Sequence, residues 1–297
     1  MTASPAPFRA PRTCLTVPGS STAMLRKAAS LAADQVILDL EDSVAPDEKE
    51  QARANVVAAL ADDRWGDRML SVRVNAVGSE TGLRDLEAVG RSDRLETVVL
   101  PKVESPEDLE SAERALGDGV GLEPLIATAR GLAGVEAIAA ATGRVAALVF
   151  GPLDMSASLG LSSLRGDGAE GYPGDPWHYA RFRILVAARA VGARAVDGPF
   201  PVIDDADGLR RSAATARAIG YDGKWVIHPS QIDVVNEAFT PTLAELERAK
   251  AVLRAYDDAV REGGRGAVRL GALMVDEATR KVASAVVARA RVAGVDG

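Results

Sequence analysis

Eight short apolar runs alternate with amphipathic stretches along most of this chain, and this alternation restricts its fold more than any other feature. The runs cover residues 14–18, 35–42, 69–75, 97–104, 121–129, 145–154, 193–199 and 223–229. Apolar residues at helical spacing separate them, over residues 22–33, 47–61, 131–142, 176–191, 204–219 and 229–239, and a further helix follows Ser105 and Pro106. Eight successive strand–helix units predict an α/β fold, a (β/α)8 TIM barrel. A doubly wound open sheet is the alternative, but no Gly-x-Gly-x-x-Gly sequence follows the first run.

The two ends of the chain depart from this repeat. Residues 1–11 contain three prolines and no periodic pattern, which predicts a flexible N-terminal arm. We assign residues 12–239 to the barrel. Residues 240–297 contain a helical pattern near 242–262, glycines at 263, 264 and 266, a short apolar run, and a final helical pattern near 277–292. This C-terminal extension is predicted to form a helical lid, with the glycine-rich stretch as its hinge.

Composition narrows the possible functions. The chain has 35 basic and 42 acidic residues, and this acidic balance argues against a nucleic-acid-binding protein. The N-terminus lacks the apolar core of a signal peptide and no apolar run is long enough to cross a membrane, so we expect a cytoplasmic protein. Cys14 is the only cysteine and the histidines are His178 and His228, which excludes an intrachain disulfide and a three-histidine zinc site. Carboxylates, arginines and lysines must therefore carry most of the chemistry.

Charged side chains collect where the apolar runs end, and barrel proteins carry their active sites at the carboxyl ends of their strands. Asp39, Glu41 and Asp42 close the second run, and the two-residue repeat of a strand puts Asp39 and Glu41 on one face. Three acids this close repel one another unless a cation lies nearby. The other charged residues at run ends are Arg73, Lys102, Asp154, Asp197, Lys224 and His228. Residues 156–176, rich in Ser and Gly, predict a long loop at the same end.

Each of these residues also has a structural explanation. Arg73 or Lys102 could close an ion pair across the barrel, and Asp39 could be a buried acid that pairs with Arg73. Asp197 is as compatible with a turn as with a ligand. His228 could cap the helix that follows it. The convergence of acids and bases at one end of the barrel favours an active site over these explanations.

Six short motifs lie in register with the strand pattern. They are LTVPG at 15–19, DLEDSV at 39–44, VRVN at 72–75, LPKVE at 100–104, FGPLD at 150–154, and GK at 223–224 with IHPSQI at 227–232. In this order and spacing they resemble the citrate lyase beta-subunit-like (CitE-like) proteins of the HpcH/HpaI aldolase superfamily, which are related to malyl-CoA and citramalyl-CoA lyases. The resemblance covers about residues 12–292.

This resemblance implies a TIM barrel that assembles as a trimer or hexamer. It implies an enzyme that cleaves or forms carbon–carbon bonds of 3-hydroxyacyl-CoA thioesters such as malyl-CoA, citramalyl-CoA or citryl-CoA. Magnesium would hold the 2-oxo acid, and an acyl-CoA enolate would be the intermediate. Some relatives hydrolyse the thioester instead.

The resemblance also assigns roles at the carboxyl ends of the strands. Arg73 would be catalytic and would contact oxygens of the oxo acid and of the thioester. Asp154 would be the magnesium ligand. Glu41 and Asp42 would orient metal-bound water and bind the substrate.

Three further residues receive roles outside this group. Asp276 resembles the aspartate of the family's C-terminal motif, which closes over a neighbouring subunit's active site as a catalytic acid or base. Arg12 and Lys102 would bind substrate through the phosphates of coenzyme A. In the same C-terminal motif, Ala272 stands where the family has a glycine.

One position departs from the family pattern. The family reads Ile-Glu-Thr-Ala at strand five, where the glutamate is a metal ligand, whereas this chain has Ala127 at that position. Glu123 cannot replace it, because it lies four residues away, roughly 13 Å along a strand. Three consequences stay open: Asp154 alone holds magnesium weakly once the oxo acid is bound, a roomier pocket takes a different substrate, or the chain hydrolyses or merely binds an acyl-CoA. A Schiff-base aldolase that uses Lys102 or Lys224 is a further alternative.

Overall fold

The structure, a computed structural model, describes residues 10–161, 172–264 and 266–295. The predicted N-terminal arm up to residue 9, and residues 162–171 of the predicted loop, lie outside these ranges. One compact unit spans Pro11–Phe239, and the residues from Thr240 onward belong to a second. None of the helices in the described part of the chain has the length and hydrophobicity that a bilayer crossing requires.

Eight parallel strands close into a barrel in sequence order, and the first strand pairs with the eighth. The strands are β1 (Thr13–Pro18), β2 (Gln35–Asp39), β3 (Met69–Arg73), β4 (Thr97–Leu100), β5 (Gly121–Ile126), β6 (Ala147–Phe150), β7 (Arg194–Asp197) and β8 (Gly223–Val226). Each predicted run overlaps one of these strands. The predicted TIM barrel is therefore confirmed, and the open sheet is excluded.

Helices cover the barrel between its strands. They are α1 (Thr22–Ala28), α2 (Lys49–Leu60), α3 (Glu80–Val89), α4 (Pro106–Ala115), α5 (Ala129–Ala133), α6 (Val135–Ala139), α7 (Pro152–Ser158), α8 (His178–Ala190), α9 (Ala206–Ile219) and α10 (Ile232–Phe239). The sequence patterns do not include α3 and α7. In α3, Gly82 weakens the helical signal, yet the fold requires it, because a Cβ there would lie 2.2 Å from the carbonyl oxygen of Ala76.

The strands are buried on both faces because their side chains alternate between helices and barrel interior. On β2, Val36 and Leu38 pack among the residues that face the helices, whereas Ile37 packs with the apolar residues inside the barrel. The interior apolar layer consists of Cys14, Ile37, Val99, Leu125, Ala127, Ala147, Val149, Val196 and Trp225. Charged layers lie above and below it, so the interior is a packed core and not a channel.

The lower layer lies at the amino ends of the strands and is built around Glu123. Its carboxylate accepts hydrogen bonds from Arg194 at 2.9 Å, Thr97 at 2.9 Å and Gln35 at 3.1 Å. All four side chains are buried. Glu123 is therefore committed to a structural ion pair away from the carboxyl ends, as its distance from position 127 along the chain predicts.

The second unit contains a long helix, a hairpin and a final helix. These are α11 (Leu243–Gly263), the antiparallel strands β9 (Ala267–Leu270) and β10 (Leu273–Asp276), and α12 (Glu277–Val292). The two helices match the predicted ones, whereas the single apolar run is a hairpin. Gly264 ends α11 with a φ of 58°, a conformation that glycine adopts without steric cost. Ala249, Val252, Val275 and Ala283 form the small core of this unit.

Candidate active site

Asp39 and Arg73 form a buried ion pair at the carboxyl ends of β2 and β3. The two residues are opposite each other in the strand register, and Nε and one terminal nitrogen of Arg73 each donate to Asp39 at 2.6 Å. The Asp39 carboxylate also accepts from the backbone N–H of Glu41 at 2.9 Å and from Ser43. Burial opposes its ionisation, but the Arg73 pair and these hydrogen bonds outweigh it and lower the pKa of Asp39. Asp39 thus positions Arg73, as its structural explanation predicts.

The remaining nitrogen of Arg73 reaches the second acid of the motif. Its Nη1 lies 2.8 Å from Oε2 of Glu41, and the guanidinium carbon lies 5.4 Å from the ring centre of Trp225. The side chain of Arg73 is only 12% exposed. Two carboxylates and an aromatic face therefore fix the direction in which this guanidinium points.

Lys102 brings a second cation to the same acids. Its Nζ lies 2.7 Å from Glu41, 3.2 Å from Asp42 and 3.9 Å from Asp154. Burial opposes the charge of this ammonium, but the hydrogen bond to Glu41 and the nearby acids outweigh burial and raise the pKa of Lys102. The four residues, all singled out from the sequence, thus lie in one ion-pair network: Glu41 and Asp42 follow β2, Lys102 follows β4, and Asp154 lies on α7.

This network borders a cavity of 320 Å³ at the carboxyl ends of the strands. Its walls are formed by Thr16, Asp42, Arg73, Leu125, Gly151, Pro152, Leu153, Asp154, Pro199, Trp225 and Ile227. The buried Thr16 hydroxyl, a site residue not predicted from the sequence, has no hydrogen-bond partner in the described part of the chain. Its position two residues after Cys14, on the interior face of β1, is the signal that could have identified it.

Ala127 follows β5 and is fully buried. The backbone of Gly151 packs against it, since a Cβ on Gly151 would lie 2.6 Å from the Ala127 Cβ. Ala127 does not line the 320 Å³ cavity. At this position the structure thus has a methyl group packed against the Gly151 backbone, and the expectation of a roomier pocket for a different substrate stays a prediction.

Arg12 lies at the opposite end of the barrel from this cavity. It precedes the first residue of β1, and its guanidinium donates to both carboxylate oxygens of Asp34, at 2.8 and 2.9 Å. Asp34 itself precedes the first residue of β2. The expectation that Arg12 contacts the substrate is thus corrected, because Arg12 ties together the amino ends of two strands.

Asp276 belongs to the second unit, where it ends β10 and caps α12. Its carboxylate accepts from the backbone N–H and the hydroxyl of Thr279, both at 2.9 Å. These hydrogen bonds lower the pKa of Asp276. The contacts account for its local conformation, and its catalytic role stays a prediction.

Asp197, Lys224 and Arg181 form a separate buried cluster. Lys224 donates to Asp197 and, at 2.7 Å, to the carbonyl of Gly198, while Arg181 donates to Asp197 at 3.0 Å. Asp197 is therefore a core ion-pair residue, neither a simple turn former nor an exposed ligand. His228 accepts from the backbone N–H of Ser230 at 3.3 Å, which is the capping role that its structural explanation predicts.

Comparison with known proteins decides the family. Residues 12–229 match the model of the HpcH/HpaI aldolase/citrate lyase family, and residues 187–295 match that of a C–C bond lyase of the TIM-barrel fold. The chain belongs to the HpcH/HpaI aldolase/citrate lyase family. It is 38% identical to an L-malyl-CoA/beta-methylmalyl-CoA lyase of Rhodobacter capsulatus over 99% of both chains. It is also 38% identical to a (3S)-malyl-CoA thioesterase of Cereibacter sphaeroides over 85% of both.

A solved structure of the family has the same fold. The CitE protein of Mycobacterium tuberculosis, in complex with magnesium, acetoacetate and coenzyme A, superposes with a TM-score of 0.78. The match covers 95% of this chain and 98% of that chain at 37% identity. The predicted CitE-like assignment and the predicted enzyme class, a CoA-thioester carbon–carbon lyase, are confirmed.

The oxygen donors at the cavity fit a magnesium ion. Asp42 and Asp154 both line the cavity with side chains that are 56% and 36% exposed. Magnesium commonly takes one or two carboxylates and completes its six ligands with water and substrate oxygens. Within the described residues no group of three or more metal-binding side chains occurs, so the chain by itself offers few ligands.

Proposed function

We propose that this chain cleaves 3-hydroxyacyl-CoA thioesters such as malyl-CoA, citramalyl-CoA or citryl-CoA into a 2-oxo acid and an acyl-CoA. The observation that carries this proposal is the Arg73 guanidinium, which Asp39 and Glu41 hold against the 320 Å³ cavity. Cleavage needs positive charge where negative charge develops on the thioester oxygen, and a fixed guanidinium supplies it without reorganisation.

The reaction balances without an oxidant or reductant. A base removes the hydroxyl proton, the carbon–carbon bond breaks as the carbonyl of the 2-oxo acid forms, and the electron pair passes to the thioester enolate. A proton then returns to the enolate carbon. Arg73 would contact the oxo-acid and enolate oxygens, while Asp42 and the free hydroxyl of Thr16 would contact the substrate from the cavity wall.

We propose that magnesium contacts this chain through Asp154 and binds weakly unless a 2-oxo acid is present. Ala127 contributes no carboxylate, so the oxo acid must supply ligands that the protein lacks. Bound magnesium would polarise the oxo-acid carbonyl. Lys102 is the remaining proposed substrate contact. Its ammonium lies 3.9 Å from Asp154 and weakens cation binding there by electrostatic repulsion.

Incubation of the protein with malyl-CoA and magnesium is expected to release a 2-oxo acid and acetyl-CoA in equal amounts. Mass spectrometry measures both products, and the reverse reaction of acetyl-CoA or propionyl-CoA with glyoxylate or pyruvate tests the same activity. Citramalyl-CoA and citryl-CoA serve as alternative substrates. If none of these thioesters is cleaved or formed, with or without EDTA, the proposed function is incorrect.

Hydrolysis of the thioester is the second candidate. The Cereibacter sphaeroides thioesterase, which is as similar in identity as the lyase, favours it. Hydrolysis would release free CoA and a hydroxy acid with its carbon skeleton intact, so the same mass spectra distinguish the two activities. A chain that binds acyl-CoA without turnover would give neither product.

We also propose that the active protein is a trimer or hexamer in which Asp276 serves a neighbouring subunit's site as acid or base. The glycines at 264 and 266, next to the hairpin that ends in Asp276, support a mobile segment. The cytoplasmic location of the protein stays a prediction.

Arg73→Ala and Asp276→Ala protomers, each inactive alone, are expected to regain activity when mixed and allowed to exchange subunits. A mixed assembly would contain sites that combine an intact Arg73 with an intact Asp276 from another protomer. Activity assays after subunit exchange measure this, with unmixed variants as controls. Failure to regain activity despite exchange, verified by mass spectrometry of the assembly, would place both residues in one chain's site.

A further inference from the structure

Lys102 has an unusual backbone conformation. Its φ is 48°, and it is the sole residue other than glycine with a positive φ in the described part of the chain. A side chain in this left-handed region is strained and persists where the surrounding structure holds it in place. From its place just after β4, the Lys102 ammonium reaches Asp42, which follows β2, and Asp154, which lies on α7.

The ammonium occupies the region that a divalent cation would need. Its distances to Asp42 and Asp154 are 3.2 and 3.9 Å, and both carboxylates line the cavity. A magnesium ion bound to Asp154 would lie about 2.1 Å from its oxygen, which puts a double positive charge close to this ammonium. The ion and the ammonium therefore cannot both hold their best positions.

The acids retain enough negative charge to attract either cation. The network contains Asp39, Glu41, Asp42 and Asp154 against Arg73 and Lys102. Lys49 adds a third positive charge beside it, donating to the carbonyls of Leu40 and Glu41. A 2-oxo acid brings its own carboxylate, which gives the Lys102 ammonium a new partner and leaves Asp154 available.

We propose that Lys102 couples metal binding to substrate binding: its ammonium takes the cation position in the free protein and moves to the carboxylate of the 2-oxo acid when that acid binds. This inference rests on the proposed function for the identity of the acid. Lys102 is a positioning residue here. It stays protonated, and no covalent bond forms or breaks at its nitrogen.

Titration with Mn²⁺, followed by electron paramagnetic resonance, tests this proposal without measuring turnover. Adding pyruvate or glyoxylate to the wild-type protein is expected to tighten Mn²⁺ binding at least tenfold, within the usual range of such couplings. Lys102→Met is expected to bind Mn²⁺ at least tenfold tighter than wild type without the acid, because the competing ammonium is gone. Addition of the acid should then tighten Mn²⁺ binding to this variant by a factor at least threefold smaller than in wild type, because the acid still supplies ligands but there is no ammonium to displace.

Two variants serve as matched controls. Lys102→Arg keeps the charge and is expected to keep most of the coupling. Lys281→Met removes an ammonium that is 72% exposed in the second unit, and it is expected to leave Mn²⁺ binding unchanged. Melting curves verify that each variant is folded.

Ala127→Glu provides a second approach, because it adds a carboxylate where the family has one. It is expected to tighten Mn²⁺ binding in the absence of the acid while Lys102 is still present. If its melting curve shows that it is unfolded, the Lys102 variants decide alone.

Equal Mn²⁺ affinity in wild type and Lys102→Met, or equal coupling to the acid in both, would overturn the proposal. The failure of the proposed function is a separate result. Coupled binding of Mn²⁺ and oxo acid without cleavage of any acyl-CoA would leave the role of Lys102 intact and reject the lyase activity.

Discussion

Replacing Arg73 with lysine is expected to lower kcat/KM for acyl-CoA cleavage by a factor of about 10³. Lysine keeps the charge but has one nitrogen, so it cannot bind both oxygens of Asp39 and still reach Glu41 at 2.8 Å. The positive charge then loses the fixed direction on which stabilisation of the enolate oxygen depends. Steady-state kinetics at saturating magnesium measure this loss.

Arg194→Lys is the matched control for this experiment. Arg194 is also a buried arginine paired with a carboxylate, Glu123 at 2.9 Å, but it lies at the amino ends of the strands. Both substitutions should lower the melting temperature, whereas only Arg73→Lys should lower kcat/KM by more than tenfold. A similar loss of activity in both variants would mean that Arg73 acts through the stability of the barrel.

Asp197→Asn is expected to lower the free energy of unfolding by about 3–5 kcal/mol at pH 7. Asp197 is fully buried between Arg181 and Lys224, and the substitution leaves the buried Lys224 without its negative charge, while Arg181 keeps its ion pair with Asp175 at 2.9 Å. Chemical denaturation measures the change. Asp207→Asn, which breaks an exposed pair with Arg210, is the control and should cost less than about 1 kcal/mol.

The stability of Asp197→Asn should also depend on pH in a defined direction. Burial lowers the pKa of Lys224 in the folded chain, and the charge of Asp197 opposes this lowering. Without Asp197 the pKa of Lys224 in the folded chain falls further below its unfolded value of about 10.4. Between these two pKa values the unfolded chain binds more protons than the folded chain. Stability relative to wild type should therefore recover as pH rises from 7 to 10. A gap that stays constant over this range would show that the lost stability does not come from the charge of Lys224.

The barrel could be predicted because its strands carry apolar side chains on both faces and occur at regular intervals. The network of Glu41, Arg73 and Lys102 could be predicted for a related reason, since all carboxyl ends of a closed parallel barrel meet at one rim. Alternation within each strand then decides which of these side chains face inward. This part of the candidate site depends on local pattern and topology alone.

Other features depend on contacts between distant segments, which a sequence pattern does not contain. The sequence around Asp197 does not indicate that Arg181 and Lys224 pair with it. A turn-forming role and a role as a ligand were therefore equally compatible with the sequence. Arg12 precedes β1, but no pattern in the sequence indicates that its guanidinium pairs with Asp34 at the start of β2. The helix α3 was missed because its glycine serves a close backbone contact that no periodicity reveals.

The apolar layer between the two charged layers has a consequence for how this molecule can change. The side chains of β2 that face the barrel interior are, in order, Gln35, Ile37 and Asp39. One apolar layer thus separates the ion pairs at the amino ends of the strands from those at the carboxyl ends. Substitutions more than about 7–10 Å apart with no shared partner act almost independently. The charged side chains at the carboxyl ends can therefore change while the Glu123–Arg194 layer at the amino ends keeps the barrel closed. The residues that stabilise the barrel and the residues that determine its chemistry therefore occupy different layers of the same eight strands.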